Sequence, residues 1–201
     1  MDPSSATIGS GDVRRQRVYQ AVRDLLAEQG LRISMDAVAQ RAGCSKQTLY
    51  AHFGSKQELL KGVVHDNLAQ ASAELREADS LPQTLQRFAQ HHLERLADPL
   101  IVASSQLVVA EARHFPDEAR ALFREGAESL LDQLAQRLGT AMERGELRHD
   151  DPHFAAELLL SMIAGLDFER QRFAVPARDA DARRHWADRV VQAFLRMYTP
   201  S

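Results

Sequence analysis

Lys46, Gln47, Thr48, Tyr50 and His52 stand within seven positions of one another, and each is a type that bonds readily to nucleic acid. At about 100° per residue, a helix here puts Gln47, Thr48, Ala51 and His52 on one outward arc, with Lys46 and Tyr50 on its flanks. Glutamine pairs bidentately with an adenine edge, threonine bonds a base or a phosphate, and the small Ala51 lets the helix seat deeply against a thymine methyl. Lys46 offers a point charge to a phosphate, while Tyr50 and His52 carry polar tips on rigid rings. From Ala37 to Gln57 there are three cations, Arg41, Lys46 and Lys56, and no Asp or Glu, so a polyanion should meet no repulsion.

The flanking residues predict how this face is held. Leu49 and Phe53, four apart, share the opposite side and should point inward. Ser45 is an N-cap, and the amides behind it form an anion-binding helix start. One helix earlier, Val38, Ala39 and Ala42 make an apolar face that stops at Gly43, where a left-handed backbone is cheapest. Cys44 continues that apolar surface. Upstream, Val18, Ala21, Val22, Leu25 and Leu26 have the i, i+3, i+4, i+7 spacing of a supporting amphipathic helix ended by Gly30. Downstream, Ser55 and Glu58 form a capping box that starts a new helix. An ordinary solvated helix hairpin requires none of these flanks.

Residues 13 to 61 closely resemble the DNA-binding domain of the TetR family of bacterial repressors. The resemblance rests on Arg17, the Ala21/Leu25/Leu26 face, Ala27-Glu28-x-Gly30, and Ala42-Gly43-x-Ser45-x-x-Thr48-Leu49-Tyr50-x-His52-Phe53-x-Ser55-Lys56-x-Glu58-Leu59-Leu60. Ser34 stands where the family usually has Thr, and Cys44 where it usually has Val. The resemblance implies phosphate contacts at Ser34, Tyr50, His52 and Lys56 and base contacts at Gln47 and Thr48. With Ser45 and Lys46 from the helix start, these eight are the candidate DNA-binding residues. Residues 102 to 165, through Glu111-Ala-Arg-His-Phe-Pro116 and Gly145-Glu-Leu-Arg148, resemble the C-terminal domain of the AefR-like subgroup.

Composition agrees with an all-α chain. Of 201 residues 44% are hydrophobic and 6% aromatic, with ten Gly and seven Pro. Together with the resemblance, this implies an N-terminal three-helix helix-turn-helix domain at 13–60 and a larger C-terminal helical ligand-binding and dimerisation domain at 61–201, after a flexible tail at 1–12. Net charge is −3, but residues 1–60 carry eight Lys/Arg against six Asp/Glu, so the hairpin part is the cationic part. Arms like this tail, followed here by Arg14, Arg15 and Arg17, sometimes reach a minor groove in the resembled family. One cysteine excludes an internal disulfide, the first twenty residues show no export signal, and no apolar run suits a membrane helix. The expectation is a cytoplasmic protein without cofactor, metal or catalytic residues, and with no membrane partner.

Six further helices are predicted. One runs from Ser55 to about Glu77. A second carries Leu85, Phe88, His92 and Leu96 and ends before Pro99. A third covers Leu100–His114, a fourth the whole of Asp117–Gly145, and a fifth Phe154–Phe168, ahead of a last stripe of Trp186, Val190, Val191, Phe194 and Tyr198. The Phe154–Phe168 segment is apolar all round and needs a second partner. Leu158, Met162, Leu166, Trp186, Val190 and Phe194 are therefore candidate interface residues of a homodimer, which two half-sites about 34 Å apart on double-stranded operator DNA require. Phe88, His92, Ser105, Leu107 and Met162 are candidates to line a pocket for an unknown small-molecule effector. His92, on an apolar stripe, is expected to be a satisfied core histidine. The alternative function is a di-iron-like metalloenzyme, suggested by Glu111-x-x-His114. It lacks a second mid-helix copy of the motif, so a surface Glu and His are expected.

Overall fold

The computed structural model describes residues 10–76 and 80–200, and among them every regular element is helical. Helix α1, Ser10–Gln29, buries Val18, Ala21, Val22, Leu25 and Leu26 and ends in a 3-10 turn at Gly30–Arg32. Ser34 caps α2, Met35–Ala42, by accepting the Ala37 N–H at 3.2 Å. Gly43 then takes a left-handed φ of +66°, and the Cys44 N–H returns to the Ala39 carbonyl at 3.0 Å. A side chain there would cost about 1–2 kcal/mol. Helices α3, Lys46–Phe53, and α4, Lys56–Ala71, follow. Leu49, Leu59, Leu60 and Val63 close a core with α1 and α2, against which Cys44 and Phe53 are partly buried.

The second core lies among α5, Leu81–Leu96, α8, Ser129–Glu143, α9, Pro152–Ala164, and α11, Ala180–Met197. Phe88, Leu134, Leu138, Leu159 and Phe194 are sealed within it. Between these come α6, Pro99–Glu111, and α7, Pro116–Phe123, and the short α10, Asp167–Arg172, precedes α11. Proline opens α6, α7 and α9, where the missing N–H has no intrahelical acceptor to lose. Helix α6 packs along α1 and its 3-10 turn, so the two cores are joined through it.

Several predicted boundaries move. Residues 10–12, placed in the tail from sequence, are helical, whereas 1–9 lie outside the described residues. Helix α4 stops at Ala71 because the Ser72 hydroxyl donates back to the Leu68 carbonyl at 2.8 Å, after which a 3-10 turn spans Ala73–Arg76. Glu77 is not among the described residues. The predicted single helix over Asp117–Gly145 is two, α7 and α8, joined by a π-helical turn at Arg124–Glu128. Gly126 within that turn faces Val64 of α4, at a distance where an added Cβ would make an ordinary contact. The predicted Phe154–Phe168 helix breaks at Gly165, whose φ is +52°.

Two candidate interface residues are corrected here. Phe194 is fully buried and stacks on Tyr198 at 4.6 Å, and Val190 is 6% exposed. Their stripe on α11 faces α5 and α9 of the same chain, which already supply the apolar partner. Leu158, Met162 and Trp186 are half-buried on that core, and Leu166 is 62% exposed. The Trp186 indole N–H donates to the Ile163 carbonyl at 2.9 Å, and the Arg178 guanidinium lies over its ring.

Candidate functional site

Helix α3 turns on its anchor. Leu49 is 1% exposed, while Gln47, Tyr50, Ala51 and His52 are exposed and Thr48 is half-buried. The Ser45 hydroxyl oxygen accepts the Thr48 N–H at 3.1 Å and lies 2.8 Å from the Thr48 hydroxyl, so both side chains are fixed at the helix start. Ser34 caps α2 in the same way, and both serines remain exposed.

The cations are less free than their sequence window implied. Lys46 pairs with Asp36 at 2.7 Å, and Arg41 grips Glu28 with two bonds of 2.9 and 2.7 Å. Each pairing favours the charged forms: the Arg41 guanidinium draws Glu28 below its ordinary pKa, and Asp36 raises that of Lys46. Lys56 is half-buried, donating to the Leu31 carbonyl at 2.5 Å with its ammonium over the Phe115 ring. Asp36 and Glu28 sit just outside the carboxylate-free stretch but reach back across the turn, so a phosphate must compete with them. The start of α1 brings further charge to this face: Arg14 and Arg15 line one cleft with Thr48 and His52, as does Asp12, which pairs with Arg15 at 2.9 Å. From sequence these arginines were tied only to the tail, because their approach to α3 depends on how α1 crosses it.

Glu111 corrects another expectation. It is 8% exposed at the end of α6, where its carboxylate accepts the Leu31 N–H at 2.7 Å and pairs with Arg32 at 2.5 Å. A Cβ on Gly30, whose φ is +59°, would lie 2.6 Å from that carboxylate. The Glu-x-x-His spacing is thus accounted for by a junction between the two cores.

Two adjoining cavities, of about 430 and 680 Å³, share Val64, Asn67, Arg95, Ile101, Ser105 and Leu122 as walls. Both lie within the range of small-molecule sites. Of the predicted pocket residues, His92 lines the larger and Ser105 both. Phe88, Leu107 and Met162 line neither: Phe88 is fully buried, Met162 packs on the C-terminal core, and Leu107 packs against Gly30. His92 is not satisfied. Its ring stacks on Phe88 at 5.7 Å, and its Nδ1 is shielded from water without a hydrogen-bond partner. Burial, reinforced by the neighbouring Arg95 charge, lowers its pKa to about 4. Arg95 was not anticipated from sequence, since an arginine in the last turn of a helix ordinarily reads as a solvated charge on the helix dipole.

Comparison with known proteins bears on the same segments. Residues 18–63 match the family model described as bacterial regulatory proteins, tetR family, and residues 83–200 match the AefR-like transcriptional repressor, C-terminal domain. The HTH-type transcriptional regulator UidR of Escherichia coli K12 is 27% identical over 179 residues, 85% of this chain and 89% of its own. A TetR-family regulator from Mesorhizobium loti MAFF303099 superposes with a TM-score of 0.75 at 27% identity, covering 95% of this chain and 99% of that one. The Flavonoid-responsive Regulator FrrA superposes with a TM-score of 0.72 at 29% identity, covering 94% and 98%.

Proposed function

The chain belongs to the TetR family of bacterial transcriptional regulators, and from that premise we propose that it represses by binding a palindromic operator as a homodimer and releases it when a small molecule fills the α4–α9 cavity. One observation carries the reading: the outer face of α3 is free over a buried Leu49, with Gln47 and Thr48 in position to meet base edges. Tyr50, His52, Ser34 and the capped start of α3 serve as phosphate contacts, joined by Lys46 once Asp36 is displaced.

Two copies are needed to read a palindrome. Leu166, Phe168 and Phe173, exposed apolar side chains close together in sequence, and Leu158, Met162 and Trp186, half-buried on the C-terminal core, support a two-fold interface in this region. Release follows from α6. Ile101, Ser104, Ser105 and Val108 of this helix wall the cavities, and Glu111 at its end holds the Leu31 N–H. Lys56 holds the carbonyl of the same residue. A ligand that shifts α6 therefore pulls on the turn beneath α2 and α4 and changes the separation of the two α3 helices. The match to an AefR-like repressor domain and the likeness to a regulator named for its response to flavonoids support repression and ligand control.

Selection of bound duplexes from a random pool tests the central reading. The expected product is a palindrome, and Gln47→Ala should relax preference at one position per half-site by about 1–3 kcal/mol. A Gln47→Ala variant that selects the same sequence with the same stringency removes Gln47 from base reading.

A further inference from the structure

We propose that the effector of this regulator is an organic anion, with its charged head on Arg95 and an apolar body lying between α4, α6 and α9. The inference rests on the ligand-responsive reading above and narrows it to a chemical class. Arg95 sits at the join of the two cavities and is a wall of both. Among the described residues its guanidinium has no hydrogen-bonded or ion-paired partner, although the residue is half-buried. Burial and the like charge of Arg23 lower its pKa, so it is held in an unfavourable setting for a cation. A helix-end position explains an arginine in water but does not compensate one that has been desolvated.

The other charges nearby are already committed. Arg23 pairs with Asp66 at 2.5 Å and bonds Asn67 at 3.1 Å. Asp98, the acid that opposes the pKa shift of Arg95, is turned to the start of α6, where it accepts the Leu100 and Ile101 N–H groups at 2.8 and 3.2 Å. Glu169 lines the larger cavity but is exposed to solvent. Thus, among the described residues, no carboxylate pairs with Arg95, although Asp98 lines the smaller cavity with it and Glu169 the larger. The neighbouring His92 provides a second polar atom without a partner on the same helix, and its neutral ring does not add to the positive charge. Most of the remaining larger wall is apolar, with Leu68, Leu96, Leu122, Leu130, Leu160 and Phe168, and Asn67, Ser105 and Ser161 add uncharged polar groups. One cation within such a wall selects a molecule with one anionic end, and a guanidinium fork suits a carboxylate or sulfonate.

Two dyes that differ by a single charged group test this. 8-Anilino-1-naphthalenesulfonate and N-phenyl-1-naphthylamine share an aromatic body, brighten in apolar sites, and differ only in the sulfonate. Titrated into full-length protein, the sulfonate dye should bind about tenfold more weakly to Arg95→Gln than to the unaltered protein, and close to normally to Arg95→Lys. The uncharged dye should not distinguish the three. Thermal melting confirms that each variant is folded, and Arg95→Met, which also removes the charge, carries the comparison if the Gln variant is unstable. Equal sulfonate binding to all three proteins, or tighter binding of the uncharged dye to the unaltered protein, overturns the anion inference while leaving an occupied cavity and the ligand-responsive reading intact. Ser105→Trp, which fills the shared wall, should displace both dyes. If neither dye binds, or if Ser105→Trp displaces neither, the anion inference falls together with the cavity reading.

Discussion

Acid should loosen this protein through His92. In the unfolded chain this imidazole titrates near the usual 6.5, and in the fold at about 4, because burial first and the Arg95 charge second penalise the protonated ring. Between those values the unfolded chain holds the extra proton, so stability is full above pH 6.5 and declines as pH falls towards 4. The whole gap corresponds to about 3 kcal/mol, of which about 2 kcal/mol is lost by pH 5. Of the charged groups around it, Arg95 on the same helix disfavours protonation and Glu169 on the far wall is exposed, so no acid offsets the cost. Urea unfolding of wild type and His92→Gln, at one fixed protein concentration and at pH 7.5 and 5.0, isolates the term. The stability of wild type relative to the variant should drop by about 2 kcal/mol between the two pH values. A difference that stays constant within about 0.5 kcal/mol, or a ring that titrates near 6.5 by NMR, refutes the reasoning.

Three other outcomes are expected. Asp36→Asn frees Lys46 from its 2.7 Å ion pair, so duplex affinity should rise and the salt slope steepen by about one phosphate equivalent, measured by anisotropy at several salt concentrations. Glu111→Ala leaves the buried Leu31 N–H without an acceptor, which costs about 1–3 kcal/mol by denaturant titration, and it should uncouple effector binding from operator release while operator binding persists. Leu166→Asp places a charge at the proposed interface, so sedimentation should show monomers where wild type sediments as a dimer, with little change in the melting of the monomer core.

Most of the fold was legible because its signals are local. The spacing of Val18, Ala21, Val22, Leu25 and Leu26, the stop at Gly43 and the serine caps at 45 and 55 each act within one or two helical turns, and all appear where their chemistry puts them. Leu49 had to face inward for the same reason. The misplaced boundaries share a different cause. Gly165 lies inside an apolar run that hides its role, and it breaks the helix with a φ of +52° while Trp186 packs against its backbone; the π turn at Arg124–Glu128 faces Val64 of α4.

The candidate sites divide along the same line. By itself the sequence determined an all-helical chain with a polar recognition face anchored by one leucine, because periodicity and capping depend on neighbours along the chain. Only the tertiary structure decided which charges on that face are free, that Phe194 and Val190 belong to the interior, and that Arg95 and His92 stand at a cavity wall without partners. Those outcomes depend on side chains far apart in sequence, and on the desolvation that arises when helices distant along the chain come together.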